Sequence, residues 1–583
     1  MEEATMFDSY TFKDDIKFRA KIIFGAVLLL SIALVVNLYW LQISNAEKYA
    51  LLSDKNRIRL IPIMPKRGHI ITSDGKIIAG NICRYKLTME QCSEKAFQEN
   101  LSFLGQYVEL DEEDGVRIYD SRKKKFPFIV IKDGLSWEEY SKLSMILFKL
   151  NNISIENAYI RDYTMPFEFS HVVGHTSRSK NSLQIPTGKT GIEAVLNNSL
   201  IGEIGNIQTE INSIGKKIRI IDSQEPTDGK DVVITIDSEL QKYVYDLLSQ
   251  EKAGSCVVLD ISNGEVLSMV SIPAFDPNII SNKLTQSQWR SITNDPLFPL
   301  MNRAVSCSYP PGSIFKIITA FAALSEKIVS PKDKVFCGGG VKLKDHVFHC
   351  WNRQGHGSVN LCDALRLSCD CYFFEIAKKL GIDTIVKYAQ KFGFGTATGI
   401  ELPNENSGLL PTKKWKFLRY GTSWKPYETM IAGIGQGAVL ATLMQSAVMF
   451  GKLYAGNYDF SPTLIKDGKK NKLQNPINQE YLEIIKNALH QVCVSGTAAG
   501  SCRTDYGISG KTGSSQVRKI KTNEAGTNQK LVQWKLRDHA VFVGCAPYKN
   551  PRYVVAVLIE HGGGGASVAA PIARKIFDRL MKK

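Results

Sequence analysis

Ser313 and Lys316 stand three residues apart in Tyr309-Pro310-Pro311-Gly312-Ser313-Ile314-Phe315-Lys316. Prolines and a glycine end an extended approach there, and the apolar run IFKIITAFAAL continues as a helix. Ser313 is then expected at a helix N-terminus, where free N–H groups and the dipole favour a developing negative charge. Residues three apart share a helical face, so Lys316 is expected to reach the Ser313 hydroxyl. A lysine desolvated in a cleft gives up its proton more readily and can take one from serine, which points to nucleophilic acyl transfer. The competing reading is an N-cap serine followed by a surface lysine, because an isolated S-x-x-K arises often by chance.

Two further elements decide between them. Ser368-Cys369-Asp370 comes about fifty residues on, and Lys511-Thr512-Gly513-Ser514 lies near the C-terminus. These are the S-x-x-K, S-x-N-like and K-T-G elements of the penicillin-interacting serine enzymes, in their usual order. A K-T-G of this kind needs a strand edge, where Gly513 lets substrate backbone approach and Lys511 and Thr512 present donors to a carboxylate. Lys189-Thr190-Gly191 spells the same tripeptide, but it precedes the serine and runs into Ile192-Glu193, so it reads as structural.

Twelve cysteines are present, and five of them (Cys337, Cys350, Cys362, Cys369 and Cys371) fall in one short stretch. Cys337, Cys350, His356 and Cys369 are spaced C-x12-C-x5-H-x12-C. Three thiolates and an imidazole suit Zn²⁺ in a closed structural site. Glycines 338–340, Gly355 and Gly357 would let the backbone wrap an ion. His349, Cys362 and Cys371 are rival ligands, and a disulfide is the alternative use of the same thiols.

The rest of the pattern supplies the supporting elements. With 583 residues, 44% of them hydrophobic, the chain has apolar material for several domains, which excludes wholesale disorder and a small disulfide-stapled scaffold. A net charge of +16 fits an anionic partner or merely a lysine-rich surface, and nucleic-acid binding has nothing else in its favour. Ile22 to Ile43 carries no charge and would make a helix about 33 Å long, enough to cross a membrane and longer than the apolar core of a signal peptide. Lys13, Lys17, Arg19 and Lys21 before the span balance Lys48, Lys55, Arg57 and Arg59 after it, so charge does not orient it. Asp237 is expected to cap a helix through Leu248, after a strand over Lys230–Ile236. Val257–Ile261 and Glu265–Val270 flank Asn263-Gly264, a type I′ hairpin signal. Ala540–Cys545 and Tyr553–Glu560 form a second hairpin, and a helix runs from Val568 to Met581. Strands at both ends with helices between give an α+β domain whose antiparallel sheet is closed by sequence-distant strands.

On these motifs the chain resembles the elongation-type class B penicillin-binding proteins, the penicillin-binding protein 2 group of peptidoglycan D,D-transpeptidases. The likeness extends to Arg67-Gly68, Asp74-Gly75, Gly188 to Glu193, Asn302-Arg303, Gly433 to Gly437 and Arg537-Asp538-His539. Leu443 stands where a proline is usual, and Asp370 replaces the commoner Asn. The resemblance implies a cytoplasmic tail (1–21), a membrane anchor (22–43), a mixed non-catalytic pedestal of dimerisation type (44–225) and a transpeptidase domain (226–583) with a five-stranded antiparallel sheet flanked by helices. It implies that Ser313 attacks the penultimate D-Ala of a donor stem peptide, with Lys316 as base. Ser368 and Lys511 would relay a proton to the leaving amine, and Asp370 would order that network. Lys511 and Thr512 would hold the terminal carboxylate, and the Ser313 and Ser514 N–H groups would form an oxyanion hole. β-Lactams would acylate Ser313. Some relatives carry zinc at the cysteine–histidine positions. The pedestal is expected to dock a SEDS-family glycan polymerase beside other elongation-complex membrane proteins. Because cross-linking takes place outside the cytoplasmic membrane, the bulk of the chain is expected in the periplasm. A β-lactamase or D,D-carboxypeptidase shares the three motifs, and a penicillin-sensing receptor would use the same acylating domain.

Overall fold

The computed structural model describes residues 4–49, 57–124, 128–150, 152–178, 186–211, 217–282, 284–344, 346–466, 474–517 and 532–582. Lys55 of the flanking charge count lies outside them. The strands begin with β1 (Ile58–Ile63), β2 (Ile70–Ile71), β3 (Ile77–Glu90), β4 (Phe128–Leu135), β5 (Ile153–Tyr163), β6 (Thr176–Arg178) and β7 (Pro186–Gly188). Next come β8 (Gly205–Ile211), β9 (Lys217–Gln224), β10 (Val232–Val233), β11 (Gly254–Asp260) and β12 (Val266–Ile272). The last seven are β13 (Val335–Cys337), β14 (Gly340–Leu343), β15 (His346–His349), β16 (Gly357–Val359), β17 (Ser509–Ser515), β18 (His539–Ala546) and β19 (Tyr553–Ile559).

By internal contacts the chain forms two units, Met1–Pro65 with Glu203–Thr227, and Lys66–Gly202 with Asp228–Lys583. The first contains the helix Ala4–Tyr39, which continues into a π-helical turn, Trp40–Ser44. Within Ile16–Ser44 the most apolar eighteen residues have a mean hydropathy of 2.5, and none of them is buried. An apolar helix with no residue of that stretch buried among the described residues suits a membrane anchor. The same unit holds the antiparallel sheet β1-β8-β9.

In the second unit, β3 pairs with β5 along eleven residues and with β4 near its end, and helices Glu94–Leu104, Glu112–Lys123 and Trp137–Ile146 lie beside this sheet in chain order. Capping boxes start two of these helices, at Asp111 and Ser136. The base of this region is continuous with the C-terminal part of the unit. Ile70, Ile78, Phe169, Val172 and Ile192 belong to the same buried cluster as Val257, Ile317 and Val543. A shared core explains why 66–202 groups with the C-terminal residues by contacts.

The main sheet has the order β12-β11-β19-β18-β17, antiparallel throughout. Side chains alternate between two cores. Val257, Leu259, Val541, Val543, Ala556 and Leu558 face one, while Cys256, Val258, Phe542, Val555, Val557 and Ile559 face the other. The helices Ser238–Leu248 and Ala570–Met581 cover the second core, through Leu240, Val244, Ile576 and Phe577. Asp237 caps the first of these by accepting from the Leu240 N–H at 2.8 Å, as its sequence suggests.

Three local expectations need correction. Only Val232–Val233 of the segment Lys230–Ile236 is strand, paired in parallel with β2. The β11–β12 turn is not type I′, since of Asn263 and Gly264 only Gly264 has a positive φ, 83°. Instead the Asp260 carboxylate accepts from the Ser262 N–H at 2.9 Å and builds a longer Asx-type loop. The last helix starts at Ala570, after a π-helical turn over Gly565–Ala569.

Candidate active site

Ser313 lies in a 3₁₀ turn, Gly312–Ile314, leading into the helix Lys316–Ser325. Gly312 has φ +54°, and its N–H donates to Gly435 O at 2.9 Å. A Cβ on Gly312 would come within 2.9 Å of Ser514 O, so glycine lets this turn sit against β17. β17 is an edge strand of the main sheet, with backbone groups left over on its outer side. Gln436 ties it down, its Nε2 donating to Ser514 O at 3.1 Å. Of the K-T-G-S residues, Lys511, Thr512 and Gly513 are buried and Ser514 is exposed.

The polar centre is Ser368. Its hydroxyl accepts from Lys316 Nζ at 3.2 Å and from Lys511 Nζ at 3.0 Å, and both lysines are wholly buried. Lys316 Nζ also donates to Ser368 O at 2.8 Å and to Asp370 Oδ1 at 2.7 Å. Asp370 opens the helix Asp370–Leu380, where the dipole favours a carboxylate. Among the described residues, then, the Lys316 ammonium spends its hydrogen bonds on Ser368 and Asp370, not on the Ser313 hydroxyl. The carboxylate opposite it explains the difference. Burial, helped by the charge of Lys316 and opposed by Asp370, holds Lys511 well below the ordinary lysine range.

Ser368 has φ +54°, a left-handed conformation that costs a non-glycine residue on the order of 1 kcal/mol. Two hydrogen bonds to its carbonyl offset that cost, from Lys316 and from the Trp351 indole at 3.1 Å. Trp351 is a residue that motif reading does not single out; its position next to Cys350 was the available signal. Thr497, whose hydroxyl lies 3.0 Å from that of Thr512, is likewise marked by no motif.

Lys189-Thr190-Gly191 has a different setting. Thr190 Oγ1 lies 2.9 Å from His175 Nδ1, and Gly191 starts a short helix whose Glu193 is fully buried. Arg67 and Arg161 each pair with Glu193 at 2.6 Å.

Cys337, Cys350, His356 and Cys369 converge, with one ligand atom from each lying within 4.8 Å of all the others. His356 Nδ1 is 3.5 Å from both the Cys337 and Cys350 sulfurs. Gly355 has φ +84°, and a Cβ there would strike Cys337 O. Sulfurs around a tetrahedral zinc would be a little under 4 Å apart, so this donor set fits in type, number and spread. Of the rivals, Cys371 is buried and shares hydrogen bonds with the clustered thiols, whereas His349 is exposed on β15 and Cys362 is half-buried on the helix Leu361–Arg366. All twelve cysteines are free thiols. The thiols of Cys369 and Cys371 hold Cys350 below the usual thiol range by hydrogen bonding to it.

Two buried lysines on one serine hydroxyl, beside an edge strand, make an arrangement able to move protons, and comparison with known proteins gives the family. A model of the penicillin-binding protein transpeptidase domain matches residues 254–578, and one of the penicillin-binding protein dimerisation domain matches 62–234. The chain belongs to the penicillin-binding protein family. It is 32% identical to the peptidoglycan D,D-transpeptidase MrdA of Haemophilus influenzae, over 97% of this chain and 92% of that one. The solved structure of penicillin-binding protein 2 from Helicobacter pylori, in complex with MreC, matches with a TM-score of 0.81 at 26% identity, covering 90% of this chain and 99% of that one. A chain of a solved peptidoglycan synthase complex that coordinates polymerization and crosslinking matches with a TM-score of 0.70 at 28% identity, covering 96% of this chain and 97% of that one. This penicillin-binding protein is a class B member of the penicillin-binding protein 2 type, an acyl-transfer enzyme acting as a peptidoglycan D,D-transpeptidase.

Proposed function

We propose that this transpeptidase forms its acyl-enzyme on Ser313, cross-linking stem peptides during cell elongation, and that β-lactams acylate the same hydroxyl. The observation that carries the assignment is the double approach to Ser368 Oγ, by Lys316 at 3.2 Å and Lys511 at 3.0 Å, with Lys316 one helical turn from Ser313. Ser313 Oγ attacks the carbonyl carbon of the penultimate D-Ala. A C–O bond forms, the peptide C–N bond breaks, and the leaving D-Ala amine takes a proton. Lys316 acts as base in its uncharged form. It reaches that form by passing a proton to Ser368 Oγ while Ser368 passes its own to Lys511. A substrate carboxylate arriving at Lys511 favours the charged form there and so frees Lys316. Lys511 and Thr512 hold that carboxylate, Gly513 leaves space for substrate backbone, and the N–H groups of Ser313 and Ser514 receive the oxyanion. Asp370 orders Lys316. An acceptor amine then attacks the ester carbonyl, the Ser313 oxygen leaves and recovers a proton, and the cross-link is made.

Zinc held by Cys337, Cys350, His356 and Cys369 is the second part of the proposal; when bound it supplies a closed four-ligand clasp with no open position. Cys369 lies between Ser368 and Asp370 in the chain, so closing the clasp braces both. The unburied apolar helix supports a single-pass anchor in the inner membrane, with the catalytic residues in the periplasm. One similar structure is a complex with MreC and another belongs to a peptidoglycan synthase complex, which supports a pedestal that docks a SEDS-family glycan polymerase beside other elongation-complex membrane proteins. Mass spectrometry of the full chain after penicillin treatment tests the assignment. One adduct on the peptide containing Ser313 is expected, and none at saturating drug overturns it.

A further inference from the structure

We infer that Trp351 is a positioning residue for this reaction: its two N–H groups hold Ser368 and Asp370 in the arrangement that the lysines use. The inference rests on the proposal that Ser313 is the nucleophile. The Trp351 backbone N–H donates to Asp370 Oδ2 at 2.8 Å, while Lys316 holds the other carboxylate oxygen. The carboxylate is therefore clamped from two sides and cannot rotate without breaking one bond. The indole N–H donates to Leu367 O and to Ser368 O, each at 3.1 Å. Ser368 O is shared with Lys316 Nζ, so both lone pairs of the carbonyl next to the strained φ are engaged.

The side chain is an unusual choice for its surroundings. Trp351 is 60% exposed, so burial of the ring is not what orders it. What orders it is the donor edge on one side and His356 against the ring, with centroids 5.5 Å apart. Cys350, the preceding residue, sits in the thiol cluster, and its N–H donates to Gly339 O at 2.9 Å. The backbone that delivers Trp351 to Asp370 is thus fixed one residue earlier. The cysteine–histidine cluster and the Ser368–Asp370 pair are joined by Trp351 as well as by Cys369.

A ring that merely shields the cluster would work as well without its N–H. Trp351→Phe separates the two roles, because phenylalanine keeps the aromatic ring against His356 and the backbone N–H to Asp370 but has no side-chain donor for Leu367 O and Ser368 O. The test uses the detergent-solubilised full chain, with a fluorescent penicillin to resolve the binding constant from the acylation rate constant, and hydrogen–deuterium exchange in parallel. Trp351→Phe is expected to lower the acylation rate constant roughly ten-fold, the order expected for one hydrogen bond, with the binding constant and melting temperature unchanged. Backbone exchange should quicken in peptides covering 364–371 and nowhere else. An acylation rate within two-fold of the parent, or unchanged exchange over 364–371, would overturn the inference. So would a rate loss that merely tracks a fall in melting temperature, which would mean a structural role only. If the parent forms no Ser313 adduct, the Ser313 assignment fails by itself, and the exchange result still decides for or against Trp351.

Discussion

Lys316 and Lys511 donate to one and the same oxygen, the Ser368 hydroxyl. Two buried ammonium groups this close would repel, and only one carboxylate, Asp370, is bonded to either of them among the described residues. The energetically sound arrangement keeps one charged and one neutral, and the lysine whose pKa is depressed is Lys511. Acylation should therefore have an ascending pH limb, rising as Lys511 loses its proton, centred well below the ordinary lysine range. Asp370 opposes that depression, so Asp370→Asn should move the limb to lower pH while reducing the maximal rate on the order of a hundred-fold. Stopped-flow acylation with a fluorescent penicillin reads both. A limb that stays put or moves up in the variant would contradict the assignment.

The two K-T-G tripeptides make a matched pair of variants. Lys511→Met removes a buried amine bonded to Ser368 and should lower penicillin acylation at least about a hundred-fold. Lys189 is exposed at the surface and bonded to none of Ser313, Lys316, Ser368 and Lys511, so Lys189→Met should leave the rate within two-fold. What matters at the second tripeptide is Glu193, buried between Arg67 and Arg161. Removing one partner of such a cluster strands charges in the interior, so Glu193→Gln should cost about 3–5 kcal/mol in urea unfolding. Acylation per folded molecule should not change. A silent Glu193→Gln would show that the cluster carries no stability.

The clustered thiols lead to a metal measurement. One zinc per purified chain is expected by elemental analysis, and Cys350→Ser should lose the metal and penicillin acylation together. The link is short, since Cys369 separates Ser368 from Asp370 by one residue and Cys350 precedes Trp351. Metal-free chain that acylates at the full rate would break the connection.

The chemistry was far more legible in the sequence than the scaffold around it. Ser313, Ser368 and Lys511 stand out in the sequence because each sits in a motif whose order along the chain is itself a signal, and the fold brings Ser368 and Lys511 to 3.0 Å of each other. Four strands of the main sheet could be inferred from its two hairpins, whereas the fifth, β17, came from the K-T-G element and the family resemblance. However, alternation in β18 and β19 is hidden because both faces are apolar: Val541 and Phe542 enter opposite cores. The contact between Lys316 and Asp370 was not legible. Spacing in a helix shows that Lys316 and Ser313 share a face, but only the tertiary fold brings a carboxylate from another helix to compete. Trp351 escaped for the same reason, since its partners lie sixteen to nineteen residues away across the cysteine loop. The Asn263-Gly264 turn misled because Asp260, a few residues earlier, supplies a stronger local acceptor.

Three wholly or partly buried histidines, distinct from the residues proposed for catalysis, should make stability depend on pH. His171, His175 and His539 are each depressed to about 4, mainly by burial. For His171 the charge of Arg303 adds to the depression, and a 2.8 Å contact between Nε2 and Pro299 O opposes it. An unfolded histidine takes up its proton near pH 6.5, whereas these stay neutral in the folded chain until about pH 4. Between those values the unfolded state binds more protons, so stability must fall as pH falls through the window and level off below it. Each histidine should contribute on the order of 1–2 kcal/mol of loss between pH 7 and pH 5. Urea midpoints of the full chain in detergent should drop accordingly. His171→Gln, which removes one titrating group while keeping an amide that can hydrogen-bond Pro299 O, should flatten the dependence by about one proton. An unaltered slope in that variant would mean that His171 titrates alike in the folded and unfolded chain, and the source of the pH dependence would then have to be sought at His175 and His539.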